Sequence, residues 1–140
     1  MKKVSIFLLS LFFFIYPVYA EEFSITGENV ILYNMNDDKV LYSKNADDIV
    51  EIASLTKIMT SIVTIENTDD LQKNVTITEK DFDGTTGYSK AGFKAKDKVT
   101  YEDLLYGILL PSGADAVNAA VNNTLGYEKF IVKMNETAKK

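Results

Sequence analysis

Ser54-Leu55-Thr56-Lys57 sets a hydroxyl and an amine three residues apart. On a helix that spacing puts both side chains on one face, so the Lys57 amine can reach the Ser54 hydroxyl. Such a pair is a nucleophile beside its base. A helix N-terminus at Ser54 favours negative charge developing on the oxygen, by about 0.3–1 kcal/mol at an exposed end. A lysine serves as a base at neutral pH only when its surroundings disfavour the cation by about 3–4 kcal/mol. Most of that has to come from burial. The tetrad alone is weak: with eight Ser and 15 Lys in 140 residues, about one S-x-x-K arises by chance. On local sequence alone a plain structural role is favoured, in which Ser54 caps a helix and Lys57 is solvated.

Pro111-Ser112-Gly113-Ala114-Asp115 is the second element with chemistry in it. It reads either as a hydroxyl presented on a tight turn beside a cleft or as a helix cap. In the cap reading Ser112 caps the helix and Asp115 sits near the third position, in the manner of a capping box. Local spacing does not choose between the two.

The residues that are missing narrow the chemistry further. The chain has no Cys and no His. A thiolate nucleophile, a disulfide and a zinc-thiolate site are excluded, as are the Ser-His-Asp arrangement and the usual metal ligand. A hydrolytic serine here needs another base, and Lys is the natural one, because burial shifts it readily. All 20 acidic side chains, and all but two of the 15 Lys, lie after residue 20, leaving about −7 of net charge there. With no basic stripe, nucleic acid is not the expected partner.

The elements that must position these groups are legible in outline. Lys2 and Lys3, the apolar run Val4–Ile15, then Pro17 and Val18-Tyr19-Ala20 have the order of an export signal cleaved after Ala20. About twelve apolar residues fall short of the roughly 20 that span a bilayer. Residues 1–20 are therefore expected to be a signal peptide and 21–140 the folded part. Glu28–Asn34, a turn at Asn36-Asp37-Asp38 and Lys39–Tyr42 predict a β-hairpin. Asn34, Asn36 and Asp38 alternate as calcium ligands do, but Lys39 and Asn45 occupy the Gly and Glu positions of such a loop, so calcium is set aside. Leu55, Ile58, Met59, Ile62, Val63 and Ile65 recur at helical spacing and predict a helix opened by Ser54. Val75–Thr78 is strand-like and 83–92 loop-like. Helices are predicted over Tyr101–Leu110, over Ala114–Leu125 with a stop at Gly126, and from Tyr127 onward.

Four segments, in order and spacing, carry a resemblance: N-V-I-L-Y-N-M-N-D-D-K-V-L-Y-S-K-N, I-A-S-L-T-K-I-M-T, Y-S-K-A-G-F-K-A-K-D-K-V-T-Y-E-D-L-L-Y-G-I-L-L-P-S-G-A-D-A and F-I-V-K-M-N. From about Ser24 to Lys139 the chain resembles the serine D-alanyl-D-alanine carboxypeptidases, the low-molecular-mass penicillin-binding proteins. The resemblance implies an α/β fold of the penicillin-binding and serine β-lactamase type, an antiparallel sheet flanked by helices. Here that fold is expected to be incomplete, a hairpin plus a mostly helical region without the C-terminal strands. Ser54 is implied as the acylated nucleophile, Lys57 as proton acceptor and Ser112 as proton relay, with the Ser54 N–H as one oxyanion donor. Implied partners are peptidoglycan stem peptides ending in D-Ala-D-Ala and β-lactams as covalent inhibitors. No cofactor or metal is implied. Export to the cell wall or periplasm is expected, with room for peripheral membrane association of a full-length form.

Two departures qualify this. The family's S-x-N ends here in Ala114, removing an amide that would orient substrate or Lys57. No Lys is followed by Thr or Ser, so the family's K-T-G element is absent; in the family it lies on a cleft strand beyond the position of residue 140, with the carboxylate anchor and second oxyanion donor. A serine β-lactamase-like hydrolase and a non-catalytic fragment are the rival readings. Gly113, where β-lactamases tend to carry Asp, leans toward the carboxypeptidases.

Overall fold

The computed structural model describes residues 24–139; the expected signal segment lies outside them. The chain divides into two compact units, one ending at Ile49 and one beginning at Val50.

In the first unit β1 (Val30–Asn34) and β2 (Lys39–Lys44) pair antiparallel, from Val30 opposite Lys44 to Asn34 opposite Lys39, with an irregularity between Leu32 and Tyr33. The turn is made by side chains. Asn34 Oδ1 accepts the amides of Asn36 (2.9 Å) and Asp37 (3.3 Å), and Tyr33 donates its hydroxyl to Asp38. The alternating Asn and Asp residues thus shape a turn. At the open end Asn29 donates to the Asn45 carbonyl and Asn45 to the Glu28 carbonyl.

The second unit begins with a 3-10 turn, Ala53–Leu55, leading into α1 (Thr56–Glu66). Strands β3 (Asn74–Thr76) and β4 (Lys98–Thr100) follow and pair antiparallel through Val75 and Val99. The remaining helices are α2 (Tyr101–Leu109), α3 (Ala114–Asn123) and α4 (Tyr127–Thr137). The β3–β4 pairing departs from the sequence reading, which saw one strand and no partner. Val75, Ile77, Val99, Tyr101, Leu104, Ile108 and three alanines of α3 form one core cluster. The alanines matter because α2 turns Gly107 toward them. A Cβ at Gly107 would come within 2.9 Å of Ala91 Cβ and 3.0 Å of Ala116 Cβ.

Two reciprocal caps fix the joints. Thr100 Oγ1 accepts the Asp103 amide at 3.0 Å, while Asp103 Oδ2 accepts the Thr100 amide at 2.8 Å. Asp81 does the same for Thr78, and its buried Oδ1 accepts Asn122 Nδ2 at 2.7 Å. The Thr100 backbone and side-chain hydrogen bonds hold the Asp103 carboxyl below the usual aspartate range. A depressed folded-state value adds stability above the unfolded pKa of about 3.9 and loses it as pH falls through the folded value. Asp103→Asn is therefore expected to make the acid side of the stability–pH profile shallower below about pH 4, read by urea midpoints across pH.

Helix α1 buries only one side. Val63 and Thr64 are inaccessible, while Leu55, Ile58, Ile62 and Ile65 form an exposed stripe beside a groove of about 540 Å³ that also takes in Ile131 and Met134. On α2, Leu104 and Ile108 are fully buried against α3, and Leu109 and Leu110 are exposed. The two kinds of apolar residue should respond differently to substitution. Leu104→Ala is expected to cost about 2–5 kcal/mol. Ile58→Gln, at a site 55% exposed, should change stability by no more than about 0.5 kcal/mol, read by denaturant unfolding.

Candidate active site

Ser54 is not the cap of α1. It lies one residue ahead, inside the 3-10 turn, and Leu55 occupies the cap position with no side-chain bond. Ala53 enters that turn at φ +46°, left-handed for a residue with a Cβ. Such a conformation costs about 1–2 kcal/mol, and the helix start that follows has no side-chain capping bond. Lys57, in the first turn of α1, places Nζ 3.3 Å from Ser54 Oγ. Ser54 is exposed and Lys57 half-buried.

Below this end α1 buries a polar stripe of Thr60, Ser61 and Thr64. Their hydroxyls donate to carbonyls four residues back, Ser61 to that of Lys57 at 2.9 Å and Thr64 to that of Thr60 at 2.8 Å. Bonding of this kind satisfies a buried hydroxyl within its own helix. It lets a Thr/Ser-rich helix pack against α2 and α3 with no unpaired polar atom at these positions.

The third group comes from the turn between α2 and α3. Ser112 donates Oγ to Ser54 Oγ at 2.9 Å, across 58 residues of sequence. It too is left-handed, at φ +61°. The helix cap that follows is Gly113, without a side-chain bond, so the capping-box reading of Ser112 and Asp115 does not hold. Gly113 is required by close approach. A Cβ there would stand 2.6 Å from the Ala91 nitrogen and 2.8 Å from the Gly107 carbonyl oxygen, which accepts the Gly113 amide at 2.9 Å. The Ala114 amide donates to the Ser89 carbonyl at 2.8 Å. Asp115, 1% exposed, accepts the Ala91 amide at 2.7 Å and the Gly92 amide at 3.1 Å.

The result is one exposed oxygen, Ser54 Oγ, with an amine and a second hydroxyl in hydrogen-bond reach. All three residues singled out in the sequence are together. Chemically the set can carry an acyl group on Ser54, with Lys57 and Ser112 placed to move its proton.

Residues 17–140 match the family described as D-alanyl-D-alanine carboxypeptidase. The chain belongs to that family. It is 30% identical over 123 residues to the D-alanyl-D-alanine carboxypeptidase DacF of Bacillus subtilis, covering 86% of this chain and 32% of that protein. It is 31% identical to a D-alanyl-D-alanine endopeptidase of Haemophilus influenzae, covering 99% and 44%. The Streptomyces K15 DD-transpeptidase structure superposes with a TM-score of 0.79 at 33% identity, over 86% of this chain and 50% of that one. The chain thus spans about a third to a half of the length of these relatives. Its helices and small sheets are part of the penicillin-binding fold.

Sequence reasoning did not anticipate the contribution of Ala53, Asp115 and the 89–92 loop to this candidate site. Neither Ala nor Ser advertises a left-handed backbone. The Asp115 contacts join segments 23 and 24 residues apart, beyond any local pattern. The two strained or crowded positions predict opposite mutational signs. Gly113→Ala should lose about 1–3 kcal/mol by overpacking. Ala53→Gly should be neutral or stabilising, because relief of about 1–2 kcal/mol of left-handed strain offsets the entropy glycine adds to the unfolded chain. Urea midpoints of both variants test this.

Proposed function

We propose that this chain carries the acylating half of a serine D-alanyl-D-alanine carboxypeptidase acting on peptidoglycan stem peptides outside the cytoplasmic membrane. The observation that carries the reading is the single oxygen, Ser54 Oγ, reached by both Lys57 Nζ at 3.3 Å and Ser112 Oγ at 2.9 Å. In the reaction Ser54 Oγ attacks the carbonyl carbon of the bond between the two terminal D-alanines. Its proton passes to Lys57, which must be neutral to accept it. The Ser112 hydroxyl relays a proton to the leaving nitrogen, the C–N bond breaks and D-alanine departs. Water then releases the acyl group from Ser54. The Ser54 N–H is one donor to the oxyanion. A β-lactam is attacked in the same way, and its tethered leaving group makes the ester slow to hydrolyse.

The relatives are named for carboxypeptidase, endopeptidase and transpeptidase reactions. Acylation is the step Ser54, Lys57 and Ser112 would serve. Ala114 presents a methyl where the family's Asn would present an amide, so substrate orientation falls to other groups. The K-T-G strand, with the carboxylate anchor and second oxyanion donor, is not among these 140 residues. Losing one oxyanion donor costs about 10²–10³ in rate, so the chain without that strand is expected to be slow or inactive on peptide.

Covalent labelling by fluorescent penicillin, in a form of the protein that includes a K-T-G strand, tests the assignment. Ser54→Ala is expected to abolish labelling. Lys57→Ala should slow it by about 10²–10⁴-fold, the usual cost of removing a general base. Labelling of Ser54→Ala at the unaltered rate would remove Ser54 as nucleophile.

A further inference from the structure

Asp115 is a buried carboxylate that the proposed acylation does not use. It is 1% exposed, and among the described residues the only ion pair is Lys133 with Glu136, so no cation compensates it. Its oxygens are satisfied by backbone amides. Oδ1 accepts Ala91 at 2.7 Å and Ala116 at 3.0 Å, and Oδ2 accepts Gly92 at 3.1 Å. Asp115 is also in the first turn of α3, where the helix N-terminus favours an anion. A buried charge is costly unless fully hydrogen-bonded, and charge-assisted bonds of this kind are roughly twice as strong as neutral ones.

The amides it holds belong to the loop that braces the Ser112 turn. Ser89 in that loop accepts the Ala114 amide at 2.8 Å, and Ala91 stands where a Gly113 Cβ would go. On the other side the turn is tied by the Gly113 amide to the Gly107 carbonyl. Ser112 itself is in a left-handed conformation, which persists only when the surroundings over-determine it. Left free, a serine would relax to negative φ and swing its hydroxyl away from Ser54.

We infer that Asp115 is a positioning residue: its carboxylate clamps residues 91 and 92 against the start of α3 and thereby holds the Ser112 hydroxyl on Ser54. The inference rests on the acylation reading above and adds to it a residue that touches neither substrate nor reacting atom. A 1 Å misplacement of a reacting group can cost about 10²-fold in rate, and that is the scale expected on loosening the clamp.

The experiment compares Asp115→Asn, Ser112→Ala and the double variant with the unaltered protein, all in the form that includes a K-T-G strand, reading two quantities for each. The first is penicillin labelling, separated into rate constant and final labelled fraction. The second is amide hydrogen exchange at Ala91, Gly92 and Gly113, against core amides of α2. Asp115→Asn keeps the side-chain size and one acceptor while turning an NH2 toward a donor. It is expected to slow labelling by about 10–10²-fold with the full fraction still labelled, and the double variant should be no slower than Ser112→Ala alone. Exchange should accelerate at the loop and turn while α2 stays protected. A residue that merely stabilises the fold would instead lower the labelled fraction and deprotect α2 together with the loop; that result, an unchanged rate, or a double variant slowed by the product of both effects would overturn the inference. If the unaltered protein is not labelled at all, the acylation reading fails, and exchange alone decides the clamp: selective deprotection of residues 91, 92 and 113 supports it, and unchanged protection rejects it.

Discussion

Helices α2 and α3 approach so closely around Gly107 and Gly113 that neither position has room for a β-carbon. The rest of the second unit follows from that approach. It brings Ala116, Ala119 and Ala120 against α2 and lets backbone meet backbone, with the Gly113 amide on the Gly107 carbonyl. It also swings the chain between the helices into the short turn that delivers Ser112 to Ser54. Small side chains at the contact are thus a geometric requirement for bringing a residue on one helix end to a residue on another. Larger residues would push the helices apart, and the 2.9 Å contact with them.

The same unit handles its buried charges in one way. Asp81 and Asp115 are almost wholly inaccessible; Asp81 accepts from the Thr78 amide and hydroxyl and from Asn122, and Asp115 from three backbone amides. Pairing them with lysines would have required desolvating two ions apiece, which seldom yields net stability. Backbone amides and asparagines deliver the donors without a second charge. Among the described residues the lysines are exposed, apart from Lys44, Lys57 and Lys133, which are half-buried.

How much of this was legible in the sequence depended on range. The hairpin was readable because its strand residues and its Asn and Asp turn are contiguous. The helices were readable because their apolar residues repeat at three and four, and S-x-x-K because its spacing is a single helical turn. Strands of three residues, such as β3 and β4, give too few alternations to reveal a partner. The helix start was misplaced by two residues because Ser54 belongs to a 3-10 turn whose entry depends on a strained alanine. A capping box with Asp115 as its third-position partner stayed open as a reading because the true partners of Asp115, Ala91 and Gly92, are remote in sequence. The resemblance brought Ser54, Lys57 and Ser112 together before any geometry did, while their mutual contact is a property of the fold alone.

The two hydrogen bonds on Ser54 Oγ differ in the separation they span, three residues for Lys57 and 58 for Ser112. Closing the longer loop carries an entropic cost that grows with its length, and contacts of that range are the ones that slow folding. A chain with the 3-10 turn and α1 formed and α3 undocked holds the amine beside the Ser54 hydroxyl and lacks the second hydroxyl. The contact with Lys57 is therefore local in sequence, and the one with Ser112 waits on long-range packing. Assembly of the site reports that the helices have docked, in a way that no observation of Lys57 alone can.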